Sequence, residues 1–129
     1  MRMPASLIAL VSALPAVAAP GLEREVQPLF DTYCVVCHLL ESAQAGLVLE
    51  AGESHAALVD VPSTQAPLPR VTPGDPDRSY LLLKLRGTHL GAGGSGARMP
   101  LAGEGPGMHL SPAQIETIEA WVRAGAQDD

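Results

Sequence analysis

The chain has 129 residues, a formal net charge of −6, 47% hydrophobic side chains, and only two Cys and four aromatic residues against 13 Gly and 12 Pro. That length suits one domain, and the acidic balance argues against nucleic acid and anionic membranes as partners. With so few large side chains, a core made by the protein alone is expected to be thin.

The first predicted element is a targeting segment. Arg2 supplies a positive start, Leu7 to Val17 is apolar, and Ala16-Val17-Ala18 is a small-x-small cleavage site, so residues 1–18 read as a secretory signal peptide. Ser12 and Pro15 interrupt the apolar run, which is too short for an ordinary membrane-spanning helix. Cleavage would leave a single domain over 19–129, exported to the periplasm or secreted, with no stable membrane insertion. Removal of Arg2 takes the charge from −6 to −7, and such a surface favours a partner protein with a basic docking face.

Leu22, Val26, Leu29, Phe30 and Tyr33 then recur at helical spacing, with Pro28 expected to kink the segment or restart the helix. Directly after it comes Cys34-Val35-Val36-Cys37-His38, which contains both cysteines of the chain. Two thiols separated by two residues can add across the vinyl groups of one haem, and the adjacent imidazole can coordinate its iron. Three other uses of such a pair compete. A thioredoxin-like redox pair expects a βαβ setting with period-2 strands, which the flanks lack. A tetrahedral zinc site needs two more close Cys or His ligands, and His55 stands alone. A disulfide across two residues is sterically poor.

Downstream, Gly46 to Glu50 could form a short extended stretch and Ser54 to Val59 a short helix. Residues 60–74, with Pro62, Pro67, Pro69 and Pro73, read as ordered loop. Asp75 is placed to cap a helix with Pro76 at its first position, running through Leu85 to a stop at Gly87. Gly91 to Gly96, with four Gly, reads as a flexible loop. The last helix carries the fullest set of signals. Ser111 and Gln114 form a capping box, Pro112 takes the first position, Leu110 can staple to Ile115, and Gly125 is the stop. Ile115, Ile118, Trp121 and Val122 make its apolar face, with Glu116, Glu119 and Arg123 toward water. The whole is expected to be an all-α domain with long Gly- and Pro-rich loops, wrapped round one covalently bound haem that supplies the missing apolar bulk.

A second iron ligand would decide the chemistry: a Met thioether raises the potential and suits electron transfer, a His lowers it, and an empty position admits small molecules. Met99, in Arg98-Met99-Pro100 after the Gly-rich loop, competes with Met108 and with His55, His89 and His109. Arg70 and Arg98 are candidate partners for the haem carboxylates.

Four segments together resemble a small class I cytochrome c domain of the planctomycete type. They are Val26-x-Pro28-x-Phe30-x-x-x-Cys34-x-x-Cys37-His38, Pro73-Gly74-Asp75-Pro76-x-x-Ser79-x-Leu81, Arg98-Met99-Pro100, and Leu110-Ser111-x-x-Gln114-Ile115-x-x-Ile118-x-x-Trp121-Val122-x-x-Gly125-Ala126. The resemblance implies a class I cytochrome c-like fold with one haem c per chain. Cys34 and Cys37 would be the thioether sites, His38 the proximal ligand and Met99 the distal one. It also implies an electron carrier that serves redox partner proteins and is not an enzyme. The stretch from His38 to Met99 spans 99 − 38 = 61 positions and departs from the commonest small cytochromes. The alternatives are a haem sensor or peroxidase-like enzyme with a labile distal site, with His89 or His109 as its acid-base group, or a haem subunit of a larger oxidoreductase.

Overall fold

A computed structural model of the chain describes residues 9–101 and 108–129. The first eight residues of the expected signal segment, Arg2 among them, lie outside them. Residues 9–20 carry no secondary structure, and Leu10, Leu14 and Val17 are exposed, so this segment contributes nothing to the core. No helix among the described residues is long and apolar enough to cross a membrane.

Four α-helices carry the fold: α1 Gln27–Tyr33, α2 Ser54–Leu58, α3 Tyr80–Arg86 and α4 Pro112–Arg123. Strand content is limited, among the described residues, to isolated bridges at Val59 with Val71 and Pro62 with Pro69. The all-α expectation therefore holds at the level of helices and loops. A π-helical turn, Leu22–Val26, leads into α1, and Pro28 lies in the first turn of α1, where its missing N–H costs nothing. This is the helix restart expected at that proline.

The core is built from both ends of the chain. Leu22, Val26 and Phe30 pack with Ile118, Trp121 and Val122 of α4, and Leu82 and Leu85 of α3 join them. The Trp121 indole N–H donates to the Gln127 carbonyl at 2.9 Å, so the ring is buried without an orphaned donor. The capping box of α4 forms as expected: Gln114 N–H donates to Ser111 Oγ at 3.2 Å, and Ser111 N–H donates to the Gln114 side chain at 2.8 Å.

Four local expectations differ from the structure. Of the stretch expected to be extended over 46–50, Leu47 is extended, but Gly46 belongs to a 3-10 turn at Gln44–Gly46 and no strand forms at 47–49. Asp75 does not cap a continuous helix. Pro76–Arg78 is a separate 3-10 turn, Ser79 is extended, and α3 begins at Tyr80. The cause is a competing partner: Tyr80 N–H donates to the Pro69 carbonyl at 3.0 Å and Leu81 N–H to that of Arg70 at 2.9 Å. The preceding loop thus takes the amides that a continuous helix would donate to the Pro76 and Asp77 carbonyls. Third, the Gly-rich loop is folded against α3. The Tyr80 hydroxyl and Lys84 Nζ each donate to the Ser95 carbonyl, at 3.3 and 3.0 Å. A Cβ on Gly94 would stand 2.5 Å from the Tyr80 hydroxyl, so only glycine permits this approach. Finally, Glu119 does not face open water; it is paired with Arg86 and Arg123.

Candidate cofactor site

After Tyr33 the chain turns on itself. Cys34 N–H still donates to the Phe30 carbonyl at 2.9 Å, and the amides of Cys37 and His38 both return to the Cys34 carbonyl at 3.2 Å. This turn brings Cys34, Cys37 and His38 to one cavity of about 470 Å3, which is also lined by Met99, Pro100 and Leu101. Leu49, Leu58, Leu81 and Leu85 supply apolar surface, together with the rings of Tyr33 and Tyr80. All four residues expected from sequence to hold the group therefore meet in one place, although Met99 lies 61 positions beyond His38.

The His38 ring is held from behind. Its Nδ1 is 3.0 Å from the Leu47 carbonyl oxygen, which can only accept, so Nδ1 carries the proton and Nε2 keeps its lone pair. The main-chain carbonyl of His38 accepts from Leu49 N–H at 2.9 Å, so the 47–49 segment clamps this residue at both ring and backbone. An imidazole so oriented is a preorganised metal ligand through Nε2.

Met99 reaches the cavity because its segment is tied to the end of α3. Met99 N–H donates to the Lys84 carbonyl at 3.0 Å, and Arg98 Nε–H donates to that of Leu85 at 2.9 Å. The Met99 side chain packs half-buried against the core. Met108 is exposed and does not line the cavity. Nor do the three other histidines. His55 Nε2 pairs with the Ala126 carbonyl at 2.9 Å, and the His89 ring is buried behind Tyr80 with Nε2 on the Gly96 carbonyl at 2.8 Å. His109 is half-exposed outside the cavity.

The two cysteines are free thiols in unequal surroundings, Cys34 half-buried and Cys37 exposed. Burial, and then the neighbouring Cys37, push the Cys34 thiol up to about 12. A nucleophilic redox cysteine needs a lowered pKa, so this environment opposes the thioredoxin-like use. Among the described residues, no group of three or more His, Cys, Asp or Glu is assembled for a metal.

Two cations border the cavity. Arg70 donates to the carbonyls of Ala57 at 2.9 Å and Ala45 at 3.0 Å, and burial lowers its pKa. Arg98, named with it as a carboxylate partner, instead faces a separate groove beside α4. Lys84 was missed. It is buried on α3 with its pKa lowered by desolvation, and its Nζ lies 5.9 Å from the Tyr80 ring centroid. The signal was its place three residues after Leu81 and beside Leu85, on the apolar face of that helix.

The donor set suits a c-type haem: one imidazole with Nε2 available, one thioether, two thiols and two cations at a mainly apolar cavity. Its volume of about 470 Å3 is that of a cofactor pocket. Comparison of the chain with protein families, with curated proteins and with solved structures found no match.

Proposed function

We propose that this protein is a monohaem c-type electron carrier of the periplasm or cell exterior, with Cys34 and Cys37 as thioether sites and His38 and Met99 as axial ligands. The observation that carries the reading is the meeting of these four side chains at one mainly apolar cavity, with His38 Nδ1 engaged by the Leu47 carbonyl and Nε2 left to coordinate. When bound, the haem supplies a single-electron ferric–ferrous couple.

The protein's own part is positional. Leu47 fixes the His38 tautomer, the ties from Lys84 and Leu85 to the 98–99 segment bring Met99 to the cavity, and the four leucines exclude water from its apolar part. Arg70 and Lys84 offer charge to carboxylates at the edge. Val36 and Leu101 line the cavity yet are 77% and 73% exposed, an apolar rim at which a partner with a basic surround can dock. A peroxidase-like enzyme would need an acid-base histidine at the cavity; neither His89 nor His109 lines it.

Mass measurement and optical spectra of the purified protein test the proposal. One covalently bound haem per chain and low-spin spectra in both oxidation states are expected. A chain that matures without haem overturns the reading, and a high-spin ferric spectrum replaces it with an open-site enzyme or sensor.

A further inference from the structure

Behind the segment that carries Met99 lies a second groove of about 410 Å3, between the last turn of α3 and α4. Arg86, Arg98 and Arg123 all line it, three of the eight cationic side chains of an acidic chain. Like-charged side chains converge at a cost unless something holds them. Here Glu119 holds two: one carboxylate oxygen accepts from Arg86 and the other from Arg123, one helical turn away. Arg98 enters from a different segment. Its Nε–H donates to the Leu85 carbonyl at 2.9 Å, and its side chain crosses the end of α3 over Gly87, where a Cβ would lie 2.9 Å from Arg98 Cδ.

We propose that this groove binds a small free oxyanion of the phosphate class. Each guanidinium has five N–H donors, and the pairs just described use only part of them, so several remain for a ligand. With Glu116 and Glu119 both counted, the lining keeps a net charge of 3 − 2 = +1 within a chain of net charge −6. Arginine forks match the tetrahedral oxygens of phosphate, and Glu119 lowers the entropic cost by ordering two of them beforehand. The negative charge of the whole molecule opposes approach to an anionic membrane or polyanion, whereas a small ion entering the groove meets its local positive field. The site shares Arg98 with the tie that brings Met99 to the other cavity, but it uses none of the four residues proposed to hold the haem and does not depend on that assignment.

Calorimetric titration of the protein as isolated with inorganic phosphate at low ionic strength should give one saturable site. Arg86→Gln and Arg98→Gln should each weaken it about tenfold, and Arg24→Gln, on the exposed π-helical turn, should leave it unchanged. Amide shifts on titrating the wild-type protein should cluster at Arg86, Arg98 and Arg123, a readout that stands even where a variant fails to fold. Phosphatidylglycerol vesicles should not bind. The proposal is overturned by absence of saturable phosphate binding, by equal weakening in Arg24→Gln, by shifts centred elsewhere, or by vesicle binding without phosphate binding.

Discussion

Replacing both Cys34 and Cys37 with Ala, and so preventing covalent attachment, should leave a chain without a cooperative thermal transition. The cavity lined by these residues has a volume of about 470 Å3. At about 24 cal/mol per Å3 of unfilled cavity, leaving it empty costs up to ~11 kcal/mol. Water entering the open mouth reduces that figure, so it is a ceiling. Domains of this size are stable by about 5–15 kcal/mol, so half of the ceiling already equals the lower end of that margin. The protein-only core anchored on Phe30 and Trp121 would then be left beside an unfilled, mainly apolar cavity lined by the 38–47 and 98–101 loops. The assay is far-ultraviolet circular dichroism against temperature, with the haem-bearing protein as reference. A variant that melts in one sharp transition near the temperature of the reference would refute the reasoning and show that the residues 19–129 do not need a prosthetic group to fold.

Met99→Ala should turn a low-spin six-coordinate haem into one that binds water or an added ligand, lower the reduction potential and abolish the weak far-red band of a Met sulfur–ferric bond; Met108→Ala, at an exposed side chain, should preserve the band. Spectra of the two variants decide it, and loss of the band only in the Met108 variant would reverse the assignment. Electron exchange with a basic partner should slow markedly as ionic strength rises, given a net charge of −6, and stopped-flow rates flat in salt would instead indicate docking at the apolar rim of Val36 and Leu101. Ser111→Ala should cost about 1 kcal/mol through loss of one half of the α4 capping box, read from thermal melts of the haem-bearing protein. No change in stability there would mean that α4 is held by packing of Ile118 and Trp121 alone.

What the sequence determined by itself is local. The Cys34-x-x-Cys37-His38 spacing, the proline that restarts α1 and the Ser111/Gln114 box each rest on residues within one or two helical turns, where backbone geometry leaves few choices. Tertiary structure decided whatever depends on a partner distant in the chain. The helix expected from Asp75 breaks at Ser79 because the Pro69 and Arg70 carbonyls take the Tyr80 and Leu81 amides, and Arg70 and Arg98 went to different cavities. Burial of Lys84, the pairing of Glu119 and the choice of Met99 over Met108 as the cavity residue were settled in the same way. The His38 tautomer is the sharpest case. Its Nε2 is available because a carbonyl nine residues onward, brought back by the 3-10 turn at Gln44–Gly46, accepts a hydrogen bond from Nδ1–H. A single hydrogen bond of that kind is worth about 1 kcal/mol, too little to leave a pattern in composition or periodicity, yet enough to orient a ring once packing has brought the two groups together.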